Sequence, residues 1–170
     1  MSRTKLISDA AILSIVRERL LRSGEKAVSF REVAGATGLS APALVLRFGS
    51  QPAMVSGALQ AAWADLTKLA QSAAQDMGRS PKDVQEFLKV QADFTDLPAL
   101  LSHSLRIPEA RTAASAYRGE VETILAAHFG GGISGRNTAG LIFSAWQGRL
   151  AWGDAGGKTY RFGELIRSLD

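Results

Sequence analysis

The chain has 170 residues, 46% of them hydrophobic and none of them cysteine, which allows a folded core and excludes both a disulfide framework and a thiolate zinc site. The net charge of +4 comes entirely from residues 1–50, where eight Lys and Arg accompany four Asp and Glu, since residues 51–170 hold twelve of each sign. A basic region beside a neutral remainder is typical of contact with a polyanion, although a solvated basic surface has the same composition.

Charged residues interrupt the apolar stretch near the N-terminus, among them Asp9, Arg17 and Glu18. The stretch therefore lacks the features of a signal peptide and of a membrane span, and we expect a cytoplasmic protein. The two histidines, His103 and His128, lie 25 positions apart and form no metal-ligand cluster. Because cysteine and any His-carboxylate motif are missing as well, the sequence predicts no metal site, no cofactor and no enzyme.

Apolar residues recur at helical spacing along the whole chain, and no alternating strand pattern is evident. Ser29 and Glu32 have the spacing of a capping box, and the glycines at 130–132 predict a flexible loop. We therefore expect an all-α protein of about nine helices. The predicted helices cover approximately residues 3–22, 29–37, 40–48, 50–77, 81–94, 96–104, 108–129, 135–152 and 160–168.

Residues 30–49 have the spacing of a helix-turn-helix. Ala34 is small enough for two helices to cross closely, and Gly38 tolerates the positive φ that a tight turn requires. The short helix after Ser40 would enter the major groove of DNA with its exposed side. An ordinary helical hairpin within a core is the alternative interpretation of this segment. The residues expected to form the apolar wedge between the two helices are Val33, Leu39, Leu44 and Phe48.

The run REVAGATGLSAPALVLRFGSQPAMVSGAL, residues 31–59, resembles the DNA-binding domain of the TetR family of transcriptional regulators. The resemblance covers residues 3–70, and the pattern Ala145-Trp-Gln-Gly148 is similar to the family more loosely. It implies a three-helix helix-turn-helix domain at 1–50, followed by a helical ligand-binding and dimerisation domain at 51–170. It also implies a homodimer, a palindromic double-stranded DNA operator, a small-molecule effector and, as is usual in the family, repression.

Positions carried over from the family place one set of residues near DNA. Arg47 is the strongest candidate for contact with a base edge or a phosphate, because a guanidinium can hold guanine with two hydrogen bonds. The small side chains of Ala41 and Ala43 can touch thymine methyl groups. The DNA-binding residues that the resemblance implies are Ser29, Arg31, Ser40, Ala41, Pro42, Ala43, Leu46, Arg47 and Gln51.

Three positions depart from the family pattern. Val45 stands where the family commonly has a phosphate-contacting tyrosine, Gln51 where it commonly has a lysine, and Leu46 where relatives often carry a polar or aromatic residue. Each lost phosphate contact weakens DNA binding and flattens its salt dependence, although the basic residues Arg3 and Lys5 can compensate. The alternative function is therefore a helical, dimeric interaction protein whose degenerate helix-turn-helix no longer binds DNA.

Small residues form a strip along the eighth predicted helix, where Gly140, Ser144 and Gly148 recur every four positions. Such a strip lets another helix approach closely, either from a partner subunit or from the same chain. The resemblance favours a partner subunit, since the last two long helices of the family form a four-helix bundle across the two-fold axis. The predicted dimer interface consists of Gly140, Leu141, Ser144, Gly148 and Trp152.

Aromatic and polar residues of the middle helices are the candidates for an effector pocket. Aromatic side chains at helical spacing are more often core residues than ligand contacts, so a purely structural role is the alternative for each of them. An apolar or aromatic small molecule is the expected effector, because the body has no cluster of charged residues that would indicate a particular ligand. The candidate pocket residues are Phe87, Phe94, His103, Tyr117, Phe143 and Trp146.

Overall fold

The computed structural model describes residues 7–156 and 160–169, and within these ranges it contains helices and no strands. Nine α-helices and two 3₁₀ helices follow one another over the described residues, which confirms the all-α prediction. The 3₁₀ helices cover Glu25–Val28 and Gly153–Ala155. The α-helices are α1 Asp9–Ser23, α2 Phe30–Thr37, α3 Ala41–Phe48, α4 Gln51–Gln75, α5 Pro81–Phe94, α6 Leu97–Ser104, α7 Pro108–His128, α8 Gly132–Trp152 and α9 Phe162–Leu169.

Side-chain N-caps explain where most of these helices begin. In each case an oxygen of the capping side chain accepts a hydrogen bond from the backbone N–H three residues later, which satisfies one of the free donors at the helix start. Prolines in the first turn of five helices fit the same positions, since a first-turn residue needs no N–H partner. The capping residues are Ser8, Ser29, Ser40, Ser50, Ser80 and Asp96.

Two helix starts and one short 3₁₀ helix differ from the sequence-based expectation. Helix α1 begins at Asp9 after its cap Ser8, so residues 7 and 8 were wrongly predicted to be helical. Residues 3–6 of the same predicted helix lie outside the described residues. Helix α8 begins at Gly132 instead of 135, which leaves a shorter glycine loop than predicted. The 3₁₀ helix Glu25–Val28 was not predicted, because four residues carry too little periodicity to identify.

The predicted capping box at the start of α2 forms only in part. The Ser29 hydroxyl oxygen accepts from the Glu32 N–H at 3.3 Å, but the Glu32 carboxylate accepts from the Arg19 guanidinium of α1 at 3.1 Å. The Glu32 carboxylate therefore pairs with the Arg19 guanidinium, and the second hydrogen bond of the capping box does not form. A complete capping box occurs instead at Ser80 and Asp83, where hydrogen bonds from the Ser80 hydroxyl and N–H lower the pKa of the Asp83 carboxyl.

The long helix α4 connects an N-terminal head, α1–α3, with a body made of α5–α9. It packs on α1 at the head and on α5, α6 and α7 in the body, and α8 packs on α7. The apolar residues along its length, such as Leu59 and Leu66, are fully buried and belong to one continuous core. Because α4 shares that core with both parts, the head and the body pack on one continuous helix.

Two buried polar contacts hold the centre of the body. The Trp63 indole N–H of α4 donates to the Ser104 hydroxyl oxygen of α6 at 2.9 Å, and the Tyr117 hydroxyl of α7 donates to Gln91 Oε1 of α5 at 2.6 Å. The Trp63 and Tyr117 rings lie 5.2 Å apart, and burial raises the pKa of the Tyr117 phenol above its ordinary value. Among the described residues, no buried side-chain nitrogen or oxygen lacks a hydrogen-bond partner.

Two leucines of α3 provide a matched test of how the head is held together. Leu44 is fully buried, whereas Leu46 is 89% exposed. We expect Leu44→Ala to lower the free energy of unfolding by about 2–5 kcal/mol, because it opens a cavity in the core. Leu46→Ala should change it by less than about 0.5 kcal/mol, as is usual for an exposed position. Urea denaturation followed by circular dichroism measures both, and equal effects of the two substitutions would contradict the packing of α3.

Candidate functional site

Helices α2 and α3 form a helix-turn-helix with a tight glycine turn. Gly38 has φ 72° and ψ 9°, the left-handed conformation predicted for it, and its N–H donates to the Ala34 carbonyl at 3.0 Å. The Thr37 hydroxyl donates to the Val33 carbonyl at 2.8 Å and closes the last turn of α2. The turn therefore fixes the direction in which α3 leaves α2.

Apolar residues anchor one side of α3 to the rest of the head. Val33 and Leu44 are fully buried, and Leu39 and Phe48 are partly buried against the same core. Two of the four predicted wedge residues are thus in the core, and the other two pack against it. Since α3 has eight residues, or about two turns, this anchoring leaves the opposite side free.

The opposite side of α3, called here the outer face, consists of Pro42, Val45 and Leu46. Pro42 is exposed, and the exposed fractions of Val45 and Leu46 are 45% and 89%. The three residues are three and four positions apart, so they lie on one side of the helix. Ala41 and Ala43 are half-buried beside them. The described part of the chain leaves Leu46 almost uncovered and Val45 about half covered, and all three side chains of the outer face are apolar.

Arg47 lies elsewhere than the sequence-based prediction placed it. Its guanidinium donates to the Ile7 carbonyl at 3.0 Å and to Asp9 Oδ1 at 3.3 Å, and its side chain is 23% exposed. The prediction that it projects from α3 into a groove therefore does not describe this conformation. Asp9, 38 positions earlier in the chain, competes for the guanidinium, and no local sequence pattern reveals such a contact.

The remaining predicted DNA-binding residues lie at the starts of α2, α3 and α4. The hydroxyl oxygens of Ser29 and Ser40 accept from backbone N–H groups as helix caps. Arg31, in the first turn of α2, is exposed, and Gln51 Nε2 donates to the Glu25 carbonyl of the 3₁₀ helix at 3.3 Å. The caps and Gln51 thus have structural partners within the head, whereas Arg31 forms no salt bridge with a described residue.

The segment that carries α3 has no acidic residue, although its neighbours carry both signs of charge. Asp9 of α1 pairs with Arg47, and Glu25 and Glu32 are exposed on the elements before α3. The sequence contains no Asp or Glu between Glu32 and Asp65, so no carboxylate lies on α3 or at the start of α4. Lys26 and Arg31, on the two elements before α3, are both exposed. An anionic partner can therefore approach the outer face without meeting a negative side chain from this segment.

The predicted interface strip on α8 is uncovered within the chain. A Cβ added at Gly140 or Gly148 would meet nothing within 4 Å, and Ser144 is exposed. Leu141 and Trp152 are 60% and 65% exposed on the same helix. The alternative in which this strip packs inside its own chain is therefore wrong for the residues that the structure describes, and a large apolar surface stays open to a partner.

The body contains a cavity of about 360 Å³ among α4, α6, α7 and α8. Trp63, Tyr117 and Phe143 line its interior, and Arg111 and Arg118 lie at its edge. The volume and the aromatic lining are typical of small-molecule sites. Arg118 lies over the Phe143 ring at 5.4 Å and pairs with Glu122 at 2.8 Å, so its charge is partly compensated.

Two of the six predicted pocket residues, Tyr117 and Phe143, contribute to this cavity. Trp146 packs edge-on against Phe143 with ring centroids 5.7 Å apart but does not line the cavity. Phe87 and Phe94 line two other surface hollows, and Phe94 lies under the Arg17 guanidinium of α1. His103 is half-buried on α6 and lines none of the described hollows.

Among the described residues there is no group of three His, Cys, Asp or Glu side chains that could hold a metal ion. No helix in the described part of the chain combines the length and the apolar character needed to span a lipid bilayer.

Comparison with solved structures identifies the fold. The chain is similar to a transcriptional regulator assigned to the TetR family from Mesorhizobium loti, with a TM-score of 0.68, 14% identity, and coverage of 95% of this chain and 90% of that one. The TetR-family regulator PfmR from Thermus thermophilus gives a TM-score of 0.63 at 19% identity, with 92% of each chain covered. A TetR-family regulator from Streptomyces coelicolor gives 0.65 at 21% identity, with coverage of 94% and 78%.

No protein-family model matches the chain, and no curated protein sequence matches it. The chain therefore has the fold of TetR-family regulators, including the helix-turn-helix and the helical body, at a level of identity that establishes architecture alone. The resemblance of residues 31–59 to that family, drawn from the sequence, is confirmed at the level of fold.

The aromatic cavity provides a test of binding in the body. We expect N-phenyl-1-naphthylamine, an uncharged aromatic dye that brightens in apolar surroundings, to bind there with one molecule per chain. Ser115 is exposed at the edge of the cavity, so Ser115→Trp should fill it and abolish the fluorescence increase. The matched control is Thr123→Trp, an exposed position of the same helix outside the cavity. Undiminished fluorescence with Ser115→Trp would show that the dye binds elsewhere.

Proposed function

We propose that this protein is a sequence-specific DNA-binding transcriptional regulator of the TetR type, not an enzyme, and that it acts in the cytoplasm. The observation that carries the proposal is the helix-turn-helix of α2 and α3, whose second helix is anchored on one side and open on the other. A recognition helix must have this arrangement, because a rigid scaffold has to present one free helical side to the major groove. The lack of acidic side chains from residue 33 to residue 64 supports a polyanionic partner.

The functional unit is a homodimer joined through the strip on α8, with the head and the body serving as the DNA-binding and the ligand-binding and dimerisation parts, respectively. Support comes from the open surface formed by Leu141, Trp152 and the two glycines Gly140 and Gly148. A two-fold axis through this surface makes two copies of α3 face one palindromic operator, with half-sites about one DNA turn, roughly 34–36 Å, apart.

A small molecule bound in the aromatic cavity is the proposed effector, apolar or aromatic in character. Trp63 lines the cavity and belongs to α4, and α4 reaches the head immediately after α3. A ligand that displaces the Trp63 ring must strain its hydrogen bond to Ser104, so the position of α4 is coupled to occupancy of the cavity. We propose further that effector binding releases DNA and that the protein represses transcription in the absence of effector. A DNA mobility shift that is unaffected by saturating cavity ligand would contradict it.

One observation favours a second function. The outer face of α3 carries no charged side chain, and the Arg47 guanidinium is held by Asp9 and the Ile7 carbonyl. A helix-turn-helix without base-binding or phosphate-binding groups on its second helix is consistent with an interaction protein that no longer binds DNA. Under this alternative, the protein would form the same dimer and would leave all DNA unretarded, even at low salt.

Binding to DNA distinguishes the transcriptional regulator from the interaction protein. We expect the full-length protein to enrich specific duplexes from a random library of 40-base-pair DNA and to retard them in a mobility assay. Arg31→Ala should weaken binding to every duplex and reduce the slope of log K against log salt by about one, because one phosphate contact is lost. The matched control is Arg79→Ala, which removes an exposed charge between α4 and α5. If no sequence is enriched at low salt, the regulator proposal is refuted and the interaction protein is favoured.

The α8 dimer is tested with bulky side chains at exposed glycines. Gly148→Leu should produce monomers in sedimentation velocity, since a leucine prevents the close approach of two helices. Gly35→Leu is the control, because Gly35 also lies in a helix with open space around its Cβ but belongs to α2 in the head. A Gly148→Leu protein that sediments as the same dimer as the unchanged chain would place the interface elsewhere.

A further inference from the structure

We propose that the outer face of α3 recognises the 5-methyl groups of thymine in the major groove, through Pro42, Val45 and Leu46. The proposal rests on the DNA-binding function and specifies what the recognition helix contacts. The methyl group of thymine is the apolar group that base pairs present in the major groove, where the other edges offer hydrogen-bond donors and acceptors. An apolar face is complementary to that group alone.

The outer face has no means of binding the polar base edges. From Ala41 to Leu46 no side chain carries a hydrogen-bond donor or acceptor. Arg47 follows on the same helix, but its guanidinium is engaged with Asp9 and the Ile7 carbonyl on α1. Recognition by α3 in this conformation therefore depends on shape and on apolar contact.

The same face disfavours G·C pairs. Guanine O6 and N7 and cytosine N4 are solvated in free DNA, and an apolar side chain pressed against them removes water without replacing its hydrogen bonds. Leu46, with 89% of its surface free, is the residue best placed to cover a methyl group, and Pro42 lies one turn before it. Discrimination between base pairs thus combines a favourable contact with the thymine methyl group and an unfavourable desolvation of the polar edges of G·C pairs.

The size and charge of this surface favour DNA over a protein as its occupant. Three side chains on a helix of two turns form a patch much smaller than the roughly 800 Å² per partner of a stable protein interface. The surrounding segment from 33 to 64 has no acidic residue, while Lys26 and Arg31 are exposed on the preceding elements. A small apolar patch on a segment without acidic residues complements a methyl group flanked by phosphates.

Replacement of thymine by deoxyuridine tests the proposal, because it removes the methyl group and leaves the hydrogen-bonding edges unchanged. The probe is the 40-base-pair duplex most enriched by the full-length protein from a random library, with the half-site thymines replaced one at a time. We expect Kd to rise about fourfold at each contacted thymine, the change for one methyl group that is no longer buried. Replacing cytosine by 5-methylcytosine at a contacted position should restore part of the affinity of a T-to-C variant.

A protein variant connects the effect to α3. In Leu46→Ala, at least one of the sensitive thymines should become insensitive to the loss of its methyl group, so the two changes are not additive. Leu105→Ala, which alters another exposed leucine outside the head, should retain the full deoxyuridine effect.

The two levels of the proposal fail in different ways. Absence of any enriched duplex refutes the DNA-binding function itself. An enriched duplex whose deoxyuridine variants all bind with unchanged Kd leaves that function intact and refutes recognition through methyl groups. A deoxyuridine effect that persists fully in Leu46→Ala, Val45→Ala and Pro42→Ala would likewise overturn the assignment to the outer face.

Discussion

Burial of Leu44 is the contact on which the arrangement of the head depends. An eight-residue helix has too few backbone hydrogen bonds to be stable alone, so its position must come from tertiary packing. Leu44, supported by Leu39 and Phe48, provides that packing on one side, and the Gly38 turn sets the angle at which the helix leaves α2. Every property of the opposite side, including what it can touch, follows from this anchoring.

The continuity of α4 relates the head to the body. Its first residues follow α3 after a single capped turn, and its middle carries Trp63, which bonds to Ser104 and lines the aromatic cavity. No loop intervenes between these two places, so one uninterrupted helix joins the cavity wall to the end of the helix-turn-helix. The buried hydrogen bond from Tyr117 to Gln91 joins α7 to α5, and Tyr117 also lines the cavity.

Local chemistry made most of the fold predictable from the sequence. Serine caps, first-turn prolines and helical periodicity located the helices from Ser29 onward to within about three residues, and Gly38 revealed the turn. Contacts between distant residues were not predictable. The pairing of Arg47 with Asp9 and of Arg19 with Glu32, and the choice of Tyr117 and Phe143 over Phe87 as cavity residues, depend on how helices pack.

The near-complete exposure of Leu46 has an evolutionary consequence. A side chain that contributes almost nothing to the core can be exchanged without unfolding the protein, since stability and partner preference are decided by different sides of the same short helix. Residues on the outer side of α3 are therefore free to diversify under selection for new targets, while Leu44 is constrained. A gene duplicate of this chain can therefore change what α3 contacts through one or two substitutions at little cost to the stability of the scaffold.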